Sequence, residues 1–394
     1  MTGFTSWITI LLLVLSPLLQ ALGAKGCGLL DPLTILKTIE NEEDGETIHC
    51  VDIYKQPAFS HPELRNHTIQ MRPTNLDPFG VKSRSYSNNS ASGLQYIQSW
   101  HKKGEFCPEG TIPILQSSTE DFPQKTPRPW GHEEDPSESE SKPPSNIREY
   151  AVAFLPVEDV QGVTGIINVW NPSVNWQKEY SAAQVWVTDG GGKAINTLEV
   201  GWLVTADFKL PLLFIYWTTD GYGSTGCYNL CCGGFVQTSN KVVLGGRIEP
   251  FSKYGGAQRQ ITIRISRDVR TGNWWLTYQG IIVGYWPPSI FTGGLKSGSS
   301  LVEFGGEVVN SDPTGFHTST DMGSGHFPSE GFGKAAFFKN LVYLTRGGVA
   351  KDADTLQGRA QRPECYDVAV QRSDTDYGAY FYYGGPGFSR YCQY

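Results

Sequence analysis

Two glutamates lie within apolar runs, at positions where a carboxylate could do chemistry. Glu199 falls in the run TLEVGWLV and Glu307 in the run VEFGGEVV. Because side chains alternate between the two faces of a β-strand, Glu199 shares its face with Gly201, and Glu307 shares its face with Gly305. Glutamate is disfavoured in strands and is rarely buried without a partner. The pattern predicts either a paired-carboxylate site with open space over the glycines or two solvent-facing charges on a half-exposed sheet.

Two other patterns that could indicate a catalytic or cofactor site are better explained as loops and turns. Beyond residue 146 the histidines are His317 and His326, both in a Gly/Ser-rich stretch, which favours surface loops over a Ser-His-Asp triad. Residues 221–226, GYGSTG, match the dinucleotide fingerprint G-x-G-x-x-G. That fingerprint needs a strand that turns into a helix, whereas here it runs into CYNLC and predicts a glycine turn. No cofactor is expected.

The cysteines fall into groups along the chain, which predicts disulfides that close locally. This pairing leaves over one cysteine of the central group and the first cysteine of the chain. A zinc site is the alternative for the central group, but adjacent cysteines suit tetrahedral coordination poorly and no metal is expected. The cysteines are Cys27, Cys50, Cys107, Cys227, Cys231, Cys232, Cys365 and Cys392.

Short β runs separated by Gly-rich turns follow residue 146, without an amphipathic helical stretch between them. Many short strands without intervening helices pair antiparallel, most simply as two packed sheets. Residues 147–394 are therefore predicted to form an all-β, antiparallel two-sheet β-sandwich. The predicted strands are Tyr150–Leu155, Gly165–Trp170, Ala183–Val187, Thr197–Val204, Leu213–Thr218, Gln260–Ser266, Trp274–Tyr278, Ile281–Trp286, Val302–Val309, Ala335–Leu344 and Tyr377–Tyr383.

Three parts are predicted before the sandwich. Residues 1–24 read as a signal peptide, because an apolar run is followed by small residues, so the product is expected to be secreted without a membrane anchor. Residues 25–116 form a small segment of their own. Residues 117–146, rich in Pro, Ser and Glu, form an extended, protease-accessible linker. The formal net charge of −7 provides no electrostatic reason to bind nucleic acid.

The small segment over residues 25–116 is predicted to be α+β. A helix is expected over Leu33–Glu42 and a strand over Cys50–Tyr54. Sequons predict N-glycosylation at Asn66 and Asn88.

Residues 29–394 resemble the neprosin family of plant secreted glutamic peptidases, including the activation propeptide of that family. The N-terminal resemblance rests on ETIHCVDIYKQPAF (46–59) and NHTIQM (66–71). The resemblance of the sandwich rests on TLEVGW (197–202), FIYWTTDGY (214–222), GFVQT (234–238), GNWW (272–275), GYWP (284–287), VEFGGE (302–307) and MGSGHFP (322–328). The 117–146 linker does not match.

The resemblance implies a secreted zymogen of the apoplast or vacuole that hydrolyses peptides or proteins. Its propeptide would act as an intramolecular inhibitor, and cleavage would follow proline. The active-site glutamates of the family fall on Glu199 and Glu307. The family disulfides map onto Cys50 with Cys107, Cys227 with Cys232, and Cys365 with Cys392, while Cys27 and Cys231 have no counterpart.

The two glutamates would act as a water-activating pair. Carboxylates about 4 Å apart repel by roughly 4 kcal/mol at an effective dielectric of about 20, so they should share one proton. The competing class is an inactive secreted β-sandwich that binds carbohydrate or protein. Candidate pocket walls or oxyanion donors, with an aromatic core as the alternative interpretation, are Trp202, Tyr216, Trp217, Gln237 and Trp286.

Overall fold

The computed structural model describes residues 30–41, 45–80, 98–100, 104–116, 122, 125, 147–311, 314–374 and 376–393. Over these residues the chain is built from antiparallel strands and short 3-10 turns, with no α-helix. Within the same residues, no helix is long and apolar enough to cross a membrane. The predicted signal peptide, Cys27, Asn88 and most of the predicted linker lie outside the described residues.

The strands of the described residues are, in chain order, β1 (Ile35–Asn41), β2 (Glu46–Asp52), β3 (Thr111–Leu115), β4 (Ile147–Leu155), β5 (Gly162–Asn168), β6 (Tyr180–Asp189), β7 (Asn196–Thr205), β8 (Leu212–Thr218), β9 (Cys227–Tyr228), β10 (Val236–Gln237), β11 (Gln260–Arg267), β12 (Trp274–Tyr278), β13 (Ile281–Trp286), β14 (Leu301–Asn310), β15 (Ala336–Leu344), β16 (Ala350–Asp352), β17 (Gln357–Ala360), β18 (Asp367–Asp374) and β19 (Gly378–Gly384). The 3-10 turns are Pro32–Thr34, Ile53–Lys55, Pro57–Ser60, Pro62–Leu64, Gly192–Ala194, Pro288–Ile290, Gly294–Lys296 and Pro328–Glu330.

Two large antiparallel sheets form the sandwich. The seven-stranded sheet has the order β17-β4-β14-β6-β7-β8-β9, and the nine-stranded sheet has the order β10-β13-β12-β11-β5-β15-β19-β18, with β16 paired to β15. Alternate side chains of both sheets point between them and form one apolar core, to which Trp202, Ile263 and Phe338 belong. The predicted all-β two-sheet sandwich is confirmed.

All the strands predicted after residue 146 form, and their ends shift by a few residues. Strands β17 and β18 were not predicted, because their sequences QGRA and DVAVQRSD are largely polar. They lie at the edges of their sheets, where the outer side chains are half-buried or exposed. A prediction that depends on buried apolar residues therefore does not find edge strands of this kind.

The N-terminal segment contains a separate three-stranded sheet with the order β1-β2-β3. The helix expected over Leu33–Glu42 is wrong, because this stretch is a 3-10 turn followed by β1. Pairing with β2 buries Ile39 and Asn41, so tertiary contacts outweigh the local preference. The strand predicted over Cys50–Tyr54 corresponds to the end of β2, which stops at Asp52. Within its described residues, the segment lacks the α-helix of the expected α+β fold.

The N-terminal segment packs against the sandwich. Val51 and Ile53 join the main apolar core. The side-chain amide of Gln56 pairs with the backbone of Gln237 in β10, accepting from its N–H at 2.8 Å and donating to its carbonyl at 3.0 Å. The side chain of Gln56 thus makes the two hydrogen bonds that a neighbouring strand would make at the edge of the nine-stranded sheet.

Three disulfides join cysteines that the structure describes, and they are the pairs that the resemblance implied: Cys50–Cys107, Cys227–Cys232 and Cys365–Cys392. Cys231 is also disulfide-bonded, to a partner outside the described residues. All three central cysteines are therefore oxidised, so the zinc alternative for this group is wrong.

Candidate active site

The two glutamates point to the same face of the seven-stranded sheet. β6 lies between β14 and β7, with Glu307 opposite Ala182 and Glu199 opposite Trp186. Gln184 lies midway between these two positions of β6 and shares their face. The exposed fractions of Glu199 and Glu307 are 0% and 1%. The alternative of solvent-facing charges is therefore wrong.

One ammonium group lies between the two carboxylates. Nζ of Lys125 is 3.1 Å from Oε2 of Glu199 and 2.8 Å from Oε2 of Glu307. Burial lowers the pKa of Lys125, but the two carboxylates outweigh that effect and raise the pKa well above its ordinary value. The ammonium therefore stays charged, and it fills the space between the two carboxylates.

Glu307 is surrounded by strong hydrogen-bond donors. Nη1 of Arg148 donates to Oε1 at 2.6 Å, and Nε2 of Gln184 donates to Oε2 at 2.6 Å. The Tyr180 hydroxyl donates to Oε1 and also contacts Arg148. Burial raises the pKa of Glu307, but Lys125 and Arg148 outweigh it and hold this pKa well below its ordinary range. Glu307 is consequently an ionised carboxylate.

Glu199 is supported by neutral hydroxyl groups. The Tyr222 hydroxyl donates to Oε1 at 2.7 Å, and the Thr197 hydroxyl donates to the same oxygen at 3.2 Å. Tyr216 lies opposite Glu199 on β8, and its ring stacks on Tyr222 with centroids 5.9 Å apart. The surroundings of the two glutamates therefore differ, since a guanidinium contacts Glu307 and hydroxyls contact Glu199.

The glycines beside the glutamates have a different role from the expected one. A Cβ atom on Gly201 would lie 1.9 Å from the carbonyl oxygen of Ala183, and one on Gly305 would lie 2.4 Å from that of Ala151. The neighbouring strands therefore come too close for any side chain. Close strand packing, and not open space above the sheet, requires these glycines.

Two of the candidate pocket residues on this sheet point away from the glutamates. Trp202 lies three residues after Glu199, so strand alternation turns it into the core. Trp217 likewise alternates with Tyr216 and joins the core. Of the five pocket candidates, Tyr216 is the one that the structure brings to the glutamates.

The other two pocket candidates belong to the second sheet. Trp286 in β13 is fully buried and packs edge-on against Phe235, with ring centroids 4.7 Å apart. Gln237 in β10 donates its side-chain N–H groups to the carbonyls of Ser239 and Val242. The N–H donors of the Gln237 side chain are therefore occupied by the loop beside it. Trp202, Trp217, Trp286 and Gln237 fit the alternative interpretation as structural residues.

The expected surface position of His317 is wrong. This histidine is buried, with Nδ1 2.8 Å from the carbonyl of Thr318 and Nε2 2.9 Å from Oε1 of Glu149. Nδ1 must donate to the carbonyl oxygen of Thr318, which can only accept. The contact between Nε2 and Glu149 is then a hydrogen bond between the ring and a carboxyl group. His326 is partly exposed and pairs with Glu330 at 2.7 Å. Neither ring contacts a serine hydroxyl, so the described residues show no Ser-His-Asp arrangement.

Apart from Tyr216, the groups that surround the carboxylates were not predicted from the sequence. Tyr180 and Gln184 carried a usable signal, because alternation along β6 places both on one face. Tyr222 belongs to the glycine-rich motif that was interpreted as a turn. Lys125 carried no signal, since it lies in the Pro/Ser/Glu-rich stretch without any periodicity.

Two family models match the chain, one in its N-terminal part and one in the sandwich. The family model described as Neprosin matches residues 177–386, and the model described as Neprosin activation peptide matches residues 38–154. The second match extends through the predicted linker into β4, so the expectation that residues 117–146 do not match the family is wrong.

Similar solved structures include two peptidases and an agglutinin. Scytalido-glutamic peptidase with a peptide-based transition state analog has 13% identity and a TM-score of 0.35, covering 61% of this chain and 99% of that chain. SCP-B, a member of the Eqolisin family of peptidases, with the tripeptide Ala-Ile-His, has 13% identity and a TM-score of 0.33 over the same shares of 61% and 99%. CG-16, a homodimeric agglutinin from chicken liver, has 8% identity and a TM-score of 0.21, covering 42% of this chain and 90% of that chain.

Proposed function

The chain belongs to the neprosin family, and on that premise we propose that it is the zymogen of a glutamic endopeptidase. Glu199 and Glu307 would activate the attacking water, and the substrates would be peptides or proteins. The observation that carries the proposal is a pair of buried carboxylates on one sheet face, bridged by the single ammonium of Lys125. Buried charges are costly unless paired, so a site of this kind is seldom kept for stability alone.

The surroundings of the carboxylates support an assignment of the two roles. When Lys125 leaves, Glu307 keeps the guanidinium of Arg148, which favours the ionised form. Within the part of the chain that the structure describes, Glu199 then keeps two hydroxyl donors and no positively charged partner. Of two neighbouring carboxylates that share one proton, Glu199 therefore carries it. Glu307 is the general base and Glu199 the general acid.

The reaction then needs no covalent intermediate. Glu307 removes a proton from a water molecule, whose oxygen attacks the scissile carbonyl carbon, while the proton of Glu199 passes to the carbonyl oxygen. The tetrahedral adduct collapses as the proton held by Glu307 moves to the leaving nitrogen and the C–N bond breaks. The adduct hydroxyl returns its proton to Glu199. A pair that shares one proton works between its two macroscopic pKa values, so we expect the rate to peak below about pH 6.

Cleavage after proline is the finer part of the proposal. It comes from the family resemblance, and one feature of the site supports it. The stacked rings of Tyr216 and Tyr222 beside Glu199 form a flat, largely apolar wall, which suits a pyrrolidine ring.

Latency is attributed to the N-terminal part of the chain acting as an intramolecular inhibitor. Lys125 belongs to that part, and it occupies the position between the carboxylates that the reacting groups need. Three disulfides fit an oxidising compartment, and we propose secretion to the apoplast or vacuole.

The test of the proposed function is digestion of a peptide library by the acid-treated precursor. We expect cleavage by the wild type and at least about a hundredfold loss in both Glu199→Gln and Glu307→Gln, in line with typical acid–base contributions. Glu364→Gln, which changes an exposed glutamate paired with Arg362, serves as the matched control and should keep full activity. Thermal melting of each variant checks folding.

Two outcomes would reject the proposal. Full activity in a folded Glu199→Gln protein would remove the two-glutamate mechanism. A wild type that releases no peptide at any pH between about 2 and 7, a range set by the carboxylate argument, would favour the competing class, an inactive sandwich that binds carbohydrate or protein.

A further inference from the structure

The loop between β8 and β9 is folded around an internal carboxylate. Asp220 accepts hydrogen bonds from the backbone N–H groups of Gly223 at 3.1 Å, Ser224 at 2.7 Å and Thr225 at 3.0 Å. The hydroxyls of Thr218, Ser224 and Thr225 donate to the same carboxylate at 3.0, 2.8 and 2.6 Å. The glycine-rich motif 221–226 thus does surround an anion, and that anion is a side chain of the loop itself.

Asp220 remains ionised through the acid range. Burial raises the pKa of Asp220, but hydrogen bonds from Thr225 and Ser224 outweigh that effect and hold it well below its usual value. The loop therefore keeps its shape under the acidic conditions in which a carboxylate pair would work.

The loop forces Tyr222 into an unusual backbone conformation. Tyr222 has φ +64°, directly after Gly221, which also has φ +64°. A tyrosine rarely adopts this left-handed conformation, so its surroundings must impose it. The backbone N–H of Tyr222 donates to the Thr218 hydroxyl at 3.1 Å, and that hydroxyl donates to Asp220. The carboxylate of Asp220 thereby fixes the strained turn.

The strained turn brings the Tyr222 hydroxyl to Glu199. This hydroxyl and that of Thr197 both donate to Oε1 of Glu199, at 2.7 and 3.2 Å. Oε2 faces the ammonium of Lys125 at 3.1 Å. Because both donors occupy Oε1, a proton that binds Glu199 after Lys125 has left must bind Oε2. Oε2 is the oxygen that faces the space between the two carboxylates.

We propose that Asp220 and Tyr222 are positioning residues, which hold the acidic proton of Glu199 on the oxygen that faces the substrate carbonyl. This inference rests on the proposed peptidase function, and it adds two residues to the site of that function. Asp220 acts through Tyr222, and Tyr222 acts through Glu199.

The first test is Tyr222→Phe, which removes one oxygen atom and keeps the stacked ring. We expect kcat to fall about tenfold with KM changed less than about twofold, because proton placement matters in the transition state more than in substrate binding. A hydroxyl that donates to a carboxylate favours its charged form, and Tyr222→Phe removes such a donor from the pair that shares the proton. The alkaline limb of the pH–rate profile should therefore move upward by about half a pH unit. A structural defect would lower the rate without this shift.

The second test asks whether Asp220 acts through Tyr222. Asp220→Asn should lower kcat and move the alkaline limb in the same direction, and the double variant with Tyr222→Phe should match Tyr222→Phe alone. Asp374→Asn is the matched control, since Asp374 also accepts two backbone N–H groups, at 2.9 and 2.6 Å, in a remote exposed turn. It should behave as the wild type. If Asp220→Asn does not fold, Ser224→Ala removes one hydroxyl donor and should produce a smaller shift of the same sign.

The outcomes separate this inference from the proposed function. Wild-type kcat and pH profile in Tyr222→Phe, or additive effects in the double variant, would overturn the inference while Glu199→Gln stayed inactive. Full activity in Glu199→Gln would instead overturn the proposed function itself.

Discussion

A single lysine pairs with two buried carboxylates, and this contact dominates the site at the scale of residues. Lys125 is 6% exposed and its ammonium contacts both Glu199 and Glu307. The pKa of Glu307 is held below its ordinary value of 4.5, so this pairing stabilises the precursor above about pH 4.5. As the pH falls below that value toward the pKa of the folded state, Glu307 binds a proton and the stabilisation is lost. The direction is that of a release triggered by acid, at a pH well below 4.5.

Lys125→Met tests this release directly. The variant keeps the length of the side chain, but within the described residues it leaves Glu199 without a counter-ion and Glu307 with Arg148 alone. Breaking a buried ion pair in this way costs about 3–5 kcal/mol. The linker is then held less firmly at neutral pH. We expect the pH midpoint of precursor processing to rise by at least about one unit, since one unit corresponds to about 1.4 kcal/mol per proton. Gel analysis of the processed fraction from pH 3 to pH 7 measures it.

The control for this prediction is Lys334→Met, which changes an exposed lysine near the ring of Tyr254. Its midpoint should equal that of the wild type. The same midpoint in Lys125→Met and the wild type would mean that the ammonium does not govern latency.

At the scale of elements, the closeness of neighbouring strands sets the geometry of the pair. β6 separates β7 from β14, so each glutamate is one strand away from Gln184. Gly201 and Gly305 allow the backbones on either side to approach. The positions of the two carboxylates relative to each other thus depend on two positions without side chains.

Gly201→Ala should therefore disturb the sheet as well as the chemistry. The new methyl group would lie 1.9 Å from the carbonyl oxygen of Ala183 and 2.6 Å from Cα of Gln184, and both are backbone atoms that cannot rotate away. We expect a loss of at least about 2 kcal/mol in the free energy of unfolding, as for other overpacked sites. Denaturant unfolding of the precursor at pH 7 measures the effect.

Gly347→Ala is the matched control, because the nearest atom to its new Cβ would be 3.9 Å away. Its stability should stay within about 0.5 kcal/mol of the wild type, as for most surface substitutions. Equal stability of Gly201→Ala and the wild type would show that β6 and β7 can separate without cost.

At the scale of the whole molecule, the N-terminal segment is attached to the sandwich by both apolar and polar contacts. Asp268 accepts from the backbone and hydroxyl of Thr74, at 2.8 and 2.6 Å, and from Gln70 at 3.0 Å. Burial raises the pKa of Asp268, but these hydrogen bonds outweigh it and lower the pKa to about 2. This contact therefore persists until the pH falls below the ordinary value of 3.8 toward 2. Mild acid alone should leave the segment docked.

Processing should consequently be a cut in the linker. We expect acidification to produce a catalytic fragment that begins between Gln124 and Arg148, because a cut beyond Arg148 would remove the guanidinium that contacts Glu307. N-terminal sequencing of the acid-treated protein identifies the site. Cys231 is disulfide-bonded. We propose Cys27, the remaining cysteine of the sequence, as its partner. The two fragments should therefore migrate together without reductant and separate with it.

Glu307→Gln provides the control and should remain at full length. Identical processing in this variant, or a new terminus inside β4, would indicate another protease or another boundary. Separation of the fragments without reductant would exclude a disulfide between them.

Strand alternation predicted much of this protein from its sequence alone. The spacing of apolar residues located the strands of the sandwich and set Glu199 and Glu307 apart as carboxylates in unexpected positions, because the two-residue period of a strand is a local property. The cysteine pairs came from the family resemblance and were confirmed. In the same way, alternation already implied that Trp202 faces away from Glu199.

Contacts between distant segments had no such signal. Lys125 and Glu307 are 182 residues apart, and nothing in the Pro/Ser/Glu-rich stretch marks one lysine as the partner of a buried carboxylate. Packing likewise decided three other features. These are the strand β1 in place of a helix, the burial of His317, and the turn that brings Tyr222 to Glu199. Local sequence preferences differ by about 1 kcal/mol or less per residue. Pairing a buried charge or completing a sheet is worth more, so the tertiary structure determined these positions.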